Sequence, residues 1–219
     1  MSNASPKSRL YEQFSRVGKA LSNPHRLELL EFIAQGEKSV ERLAEISGMT
    51  VANTSQHLQH LRHAGLVSTR KESQRVFYSL TDDMIVDLMG LLRKISQKNL
   101  AEVELIVNTF FKSKDSLEPI THADLLKRIK AGLVTILDVR PPDEFAAGHI
   151  PGSINVPLKE LERYAREFSA NTEVVAYCRG PYCMLSFDAV EQLRKKGFKA
   201  KRLEDGFPEW KKAGFPVEK

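Results

Sequence analysis

Tyr177-Cys178-Arg179-Gly180-Pro181-Tyr182-Cys183-Met184 contains both cysteines of a 219-residue chain, and its flanks decide the fold of the second half. The apolar run Glu173-Val174-Val175-Ala176-Tyr177 enters it as a buried strand, and the amphipathic run 184–196 leaves it as a helix. A thiol in a short loop between a strand and a helix meets converging backbone N–H groups and the positive end of the helix dipole. Both favour thiolate over thiol. Cys178 therefore reads as a nucleophile with Cys183 as a second thiol in reach; the plainer alternative for each is a small packing residue. Gly180 lets the loop curl without a Cβ, Pro181 stiffens it, and Arg179 is placed to steer an anionic donor.

Around this loop the pattern from Leu117 onward alternates short strands and helices. Strands are expected at 134–139, 173–177 and 199–203, and helices at 124–130, 158–168, 185–196 and 207–212. Such alternation predicts an α/β domain with a mostly parallel sheet, whose sites form at the carboxyl ends of strands. Cys178, Asp138 and Arg140 all fall at such ends. Asp138 and Arg140 are expected to brace the loop rather than react, and His149, Glu144 and Asp205 to be architectural. A cysteine-dependent phosphatase needs an arginine six places after its nucleophile to clamp phosphate. That place holds Met184, which excludes the phosphatase reading.

The first half reads differently. Leu10, Phe14, Val17 and Leu21 recur at helical spacing. Asn23-Pro24 then caps and opens a second helix, Ser39 caps a third that closes at Gly48, and Thr50 opens a fourth that ends near Gly65. Two short helices joined by a glycine-containing turn predict a helix-turn-helix. The fourth helix carries Asn53, Thr54, Ser55, Gln56, His57, Gln59, His60, Arg62 and His63, side chains able to read base edges and phosphates. Two alternating runs, 66–71 and 75–80, form a hairpin around Glu72-Ser73-Gln74. Its Arg70, Lys71 and Arg75 are candidates for phosphate or minor-groove contact. His57, His60 and His63 also have a spacing that suits zinc, but on a reading helix DNA contact is the better account.

Residues 82–111 read as one long helix whose apolar stripe, including Leu88, Leu92, Ile95 and Phe110, is expected to pair across a dimer axis. A polar linker follows. The expected domains are 1–111 for DNA binding and dimerisation, 112–117 for the linker, and 118–219 for the α/β half. The net charge of +5 is mild. No long uncharged apolar run suits a membrane, and no export signal opens the chain, so a cytoplasmic protein is expected. Met1 to Ala4 read as dispensable. Two cysteines five apart are too few for a disulfide framework, which points to a reducing compartment.

Two families share these motifs. The segment from about residue 10 to 80 resembles the ArsR/SmtB family of winged-helix repressors through Leu21-Ser22-Asn23-Pro24-His25-Arg26-Leu27 and Thr54-Ser55-Gln56-His57-Leu58-Gln59-His60-Leu61-Arg62-His63-Ala64-Gly65-Leu66-Val67. The resemblance implies a homodimer on a two-fold-symmetric double-stranded DNA operator, released by an inducer. The family's usual metal sites would need cysteines near residues 39–45 or histidines within 82–107, and neither stretch has them, so no metal is expected. Residues 118–217 resemble a rhodanese domain through Leu137-Asp138-Val139-Arg140, Gly148-His149-Ile150-Pro151-Gly152-Ser153-Ile154-Asn155-Val156-Pro157, Tyr177-Cys178-Arg179 and Leu203-Glu204-Asp205-Gly206-Phe207. That resemblance implies sulfur transfer through a persulfide on Cys178, with no cofactor. Cys183 is then placed to attack its inner sulfur, releasing hydrosulfide and leaving a Cys178–Cys183 disulfide, or to share the sulfur as a trisulfide.

The expected whole is a mainly-α winged helix-turn-helix followed by an α/β rhodanese-like domain. Its expected function is that of a repressor responding to a sulfane-sulfur donor: thiosulfate, polysulfide or persulfide. Three alternatives remain open from the sequence. These are a sulfurtransferase whose DNA-binding half only dimerises or localises it, a constitutive repressor whose second domain binds a partner, and a repressor induced by arsenic or another thiophile.

Overall fold

A computed structural model describes residues 5–114, 119–168 and 173–219. Met1 to Ala4, residues 115–117 of the expected linker and the start of the second domain at 118 lie outside them. The chain divides into two compact units, one ending at Ile85 and the other beginning at Val86.

Local capping chemistry builds the first unit. Helix α1 (Pro6–Leu21) starts on Ser5, and α2 (Pro24–Ala34) starts on Asn23, whose side chain accepts from the Arg26 amide. Strand β1 (Lys38–Ser39) precedes α3 (Val40–Ser47), which ends at Gly48 with φ 68°, a left-handed stop that glycine adopts without strain. Helix α4 (Val51–His63) starts on Thr50, whose hydroxyl accepts from the Asn53 amide at 3.3 Å. Thr50→Ala is expected to destabilise this unit by about 1 kcal/mol, measurable as a lowered midpoint in urea followed by far-ultraviolet circular dichroism. Strands β2 (Val67–Glu72) and β3 (Arg75–Leu80) form an antiparallel hairpin turning at Ser73, and β1 pairs with β3. Leu29, Leu30, Leu43, Leu58, Leu61 and Tyr78 fill the core.

The second unit opens with most of α5 (Met84–Asn99) and α6 (Ala101–Ile106), followed by a π-helical segment Val107–Lys112. The single helix expected over 82–111 is thus broken. Leu100 takes an extended conformation (φ −113°, ψ 110°), and the Asn99 side chain donates to the Ile95 carbonyl. A short amide competing for a backbone acceptor is a local alternative to helix propagation. The apolar stripe continues through the break, which is why periodicity does not reveal it.

The rest is a three-layer α/β body. Its elements are α7 (His122–Lys130), β4 (Val134–Asp138), α8 (Pro142–Ala147), β5 (Ile154–Asn155), α9 (Leu161–Tyr164), β6 (Glu173–Tyr177), α10 (Met184–Lys195), β7 (Lys199–Arg202) and α11 (Phe207–Lys212). The sheet runs β5-β4-β6-β7 with every pairing parallel. Alternate residues of β6 serve opposite faces: Val174 and Ala176 join Leu137, Val190 and Leu193, while Val175 and Tyr177 join Leu125, Ile150 and Trp210. Both faces are covered, as parallel sheets require. The helix expected over 158–168 is shorter: a 3-10 turn Leu158–Glu160 leads into α9, and irregular turns follow. Helix α8 and the two-residue β5 are additions to the sequence reading.

Candidate functional site

In the first unit, α4 and the hairpin carry the candidate DNA-contacting residues. Asn53, Gln56, His60, Arg62 and His63 are exposed, and Ser55 is half-buried. Thr54 is a correction. It is fully buried, and its hydroxyl donates to the Thr50 carbonyl at 2.9 Å. Its spacing to Leu58 and Leu61 puts it on the core face, a phase visible in the sequence but masked by its polar neighbours. Gln59 is half-buried and donates to the Tyr78 hydroxyl at 3.3 Å. His57 lies 5.6 Å from His25, ring centre to ring centre, and its Nδ1 has no hydrogen-bond partner among the described residues. Burial, with help from the nearby Arg26, His25 and His60, holds its pKa below the usual histidine value. His57 therefore favours the neutral ring.

The wing also sorts its cations. Arg70 is bound to Glu37 through Nε and Nη2 and to Glu72 through Nη1 at 2.6 Å, with its guanidinium over the Phe77 ring. Those hydrogen bonds raise its pKa further. Arg70, expected to reach phosphate or the minor groove, is thus an exposed cation already matched by carboxylates. Lys71 and Arg75 are exposed on the same hairpin. Replacing either by alanine is expected to lower the slope of log affinity against log salt by about one, through loss of a counterion-releasing contact. Arg70→Ala is expected to change it less. Operator titrations across a potassium chloride series check both, and equal slopes for all three variants and the wild type would count against this surface.

In the second unit, β6 delivers Cys178 at its carboxyl end, and Cys183 is the cap residue of α10. The two sulfurs are bonded in a disulfide, with Cα atoms 6.1 Å apart. The sequence predicts two thiols able to close into a disulfide, and the described state is the closed one. Cys178 is 1% exposed and Cys183 9%, so this state is closed to solvent. The cradle of amides is smaller than expected. The Cys183 amide donates to the Gly180 carbonyl at 3.1 Å, and Pro181 has no N–H to give.

Several groups fix the loop. The Cys178 carbonyl accepts from the Phe207 amide at 3.0 Å. Beneath Phe207 lies Arg140, its guanidinium 4.3 Å from the ring centre. Arg140 and Asp138 are both fully buried and meet through several hydrogen bonds, including Nη2 to Oδ2 at 2.5 Å, while Nη2 also reaches the Gly148 carbonyl. Burial works against the Arg140 charge, but the hydrogen bond to Asp138 and its negative charge outweigh that, and the pKa lies above its ordinary value. The bracing role expected of Asp138 and Arg140 fits this geometry.

Arg179 is a correction. Its Nε and Nη2 close on the Glu144 carboxylate at 2.8–3.0 Å, and Glu144 is fully buried. The guanidinium is thus committed to holding the loop and is not presented to an incoming anion. Glu144 lies 35 residues away in sequence, so only the fold pairs them. Met184 opens α10 at 40% exposure where a phosphatase would need its arginine. Gly206 was seen in the sequence only as part of a terminal motif. A Cβ there would lie 2.2 Å from the Arg179 carbonyl oxygen and 2.5 Å from the Gly180 nitrogen, so the loop seats directly on its bare backbone.

Among the described residues, no three histidine, cysteine or acidic side chains gather to hold a metal, and no helix is long and apolar enough to cross a membrane.

Comparison with known proteins places both units. Residues 23–69 match the family described as bacterial regulatory protein, arsR family, and residues 121–213 match the rhodanese-like domain. The HTH-type transcriptional regulator Rv0324 of Mycobacterium tuberculosis is 42% identical over 212 residues, covering 97% of this chain and 93% of that protein. Among solved structures, the homodimeric winged helix-turn-helix DNA-binding domain from Mycobacterium bovis is 35% identical, covering 47% of this chain and 94% of its own, with a TM-score of 0.42. A rhodanese-related protein from Thermoplasma volcanium is 33% identical, covering 47% of this chain and 98% of its own, also with a TM-score of 0.42.

Proposed function

Because the chain belongs to the ArsR family of bacterial transcriptional regulators and joins that unit to a rhodanese-like domain, we propose that it is a homodimeric repressor whose operator affinity follows the sulfur state of Cys178. The exposed apolar residues Leu10, Tyr11 and Phe14 on α1 give a partner protomer a face to cover. Asn53, Gln56, His60 and Arg62 on α4, with Lys71 and Arg75 on the wing, contact the operator.

The observation that carries the sulfur reading is the bond between Cys178 and Cys183 at the end of β6. A second thiol close enough to bond the first turns a sulfur-loading site into a two-state element. The Cys178 thiolate attacks the terminal sulfur of a hydropolysulfide, whose S–S bond breaks, and the shortened polysulfide leaves with the electron pair. The product is Cys178–S–SH. The Cys183 thiolate then attacks the inner sulfur of that group, and hydrosulfide leaves as the disulfide closes. The buried, closed disulfide supports sensing over steady sulfur transfer, since a turnover site must admit a donor and an acceptor repeatedly. Intact-mass analysis of reduced protein after polysulfide treatment tests the sequence of steps. Wild type is expected to lose two hydrogens, and Cys183→Ser to gain one sulfur atom and keep it. The same mass change in both proteins would refute the resolving role of Cys183.

A further inference from the structure

The faces of α5 and of the segment that follows it lie against both ends of the cysteine loop. On the Cys183 side, Gln97 of α5 donates through Nε2 to the Tyr182 hydroxyl. The ring of Phe111 sits 5.0 Å from Tyr182 and 5.2 Å from Phe187, centre to centre. Phe187 belongs to α10, the helix that Cys183 caps. On the Cys178 side, Arg93 of α5 pairs with Glu209 of α11 at 2.5 Å. Glu209 in turn accepts from the Gly206 amide at 3.2 Å, next to Phe207, whose amide holds the Cys178 carbonyl. A second ion pair, Lys212 with Asp87, ties α11 to the start of α5. A cavity of about 950 Å³ borders Tyr182, Pro181, Gln97 and Arg93, leaving the tyrosine ring space into which it can turn.

Building on the proposed sulfur response, we infer that Tyr182 is the positioning residue through which α5 and residues 107–112 register whether the Cys178–Cys183 bond is open or closed. While closed, the bond fixes the loop from both ends and holds Tyr182 between Gln97 and Phe111. Opening it takes two electrons and two protons from a dithiol, whose own sulfurs become a disulfide, and leaves two free thiols. Residues 179–182 then lose the cross-link while the Arg179–Glu144 pair still holds their start, and the Gln97 and Phe111 contacts with Tyr182 weaken. The Arg93–Glu209 pair stays in place and acts as the pivot. Burial, which raises the Tyr182 pKa, keeps the phenol protonated, so it can donate or accept a hydrogen bond without changing charge. Because α5 starts at Met84, its N-terminal end is covalently continuous with the operator-reading unit.

Amide hydrogen exchange on the full-length protein, disulfide-bonded and then reduced with dithiothreitol, tests this directly. Exchange within 93–112 is expected to speed up on reduction by about fivefold or more, the lower end of ordinary coupling between sites. Gln97→Ala combined with Phe111→Ala leaves every loop residue in place and is expected to erase the difference, with intact mass showing that the pair still opens and closes. Tyr182→Phe keeps the ring, removes only the hydroxyl, and is expected to retain part of the difference. No change in wild type on reduction, or an undiminished change in the Gln97→Ala, Phe111→Ala protein, overturns the inference. The measurement needs no DNA. A Tyr182-dependent exchange change beside constant operator affinity would support this coupling and sink the repressor reading, and the converse would do the opposite.

Discussion

Asp138→Ala is expected to destabilise the α/β body by about 3–5 kcal/mol, because it leaves the Arg140 charge buried without its carboxylate. Both side chains are fully buried, and Arg140 spans Asp138, the Gly148 carbonyl and the Phe207 ring. Losing the aspartate removes the hydrogen bonds that outweigh desolvation and loosens the residue whose amide holds Cys178. The readout is specific to this unit, since the chain's one tryptophan, Trp210, is fully buried in its core. Tryptophan fluorescence in urea is expected to show a midpoint lowered by about 2 M, given typical denaturant slopes. Asp138→Ala combined with Arg140→Met removes the orphaned charge and is expected to recover much of the loss. A single variant within about 1 kcal/mol of wild type, the range of an exposed pair, would contradict the bracing role.

Cys178→Ser is expected to abolish sulfur uptake and the operator response together. A serine hydroxyl is a weak nucleophile without an adjacent base and forms no stable link to sulfane sulfur. The substitution changes one atom at a site that is 1% exposed, so the unit is expected to fold, and Cys178→Ala serves as a second check free of a buried hydroxyl. Intact mass after polysulfide should be unchanged in both variants, while their operator affinity in the absence of sulfur matches wild type. A mass gain in Cys178→Ser would move the sulfur-accepting role to Cys183.

What the sequence revealed, and what it hid, follows the range of the interaction involved. Asn23, Ser39 and Thr50 cap helices through bonds to residues three positions on, so their roles show in a short window. The strands around Tyr177 and Asp138 show for a similar reason, as continuous apolar runs. The Arg70–Glu37 and Arg179–Glu144 pairs are hidden from any short window because the partners lie 33 and 35 residues apart. A cation in a loop looks available until folding brings a carboxylate to it. Gly206 was undervalued because its role is a close approach to the Arg179–Gly180 backbone, which no spacing rule encodes. The break at Leu100 is hidden because Ile95 and Phe110 carry the apolar stripe on both sides of it, while Asn99 acts within a single turn. The cysteine loop is legible both as a reactive site and as one able to cross-link, since a second thiol five residues on can reach the first. Which of the two states is populated is not legible, because a five-residue separation fits both.

If the sulfur state of the rhodanese-like unit alters DNA binding by the winged-helix unit, operator affinity must change with it. Operator titration with the full-length protein, fully reduced in one sample and polysulfide-treated in the other, tests it most directly, with intact mass confirming complete conversion. Affinity is expected to differ between the samples by a factor of about 5–150, the span of coupling free energies between linked sites. Equal affinities at full conversion would contradict it.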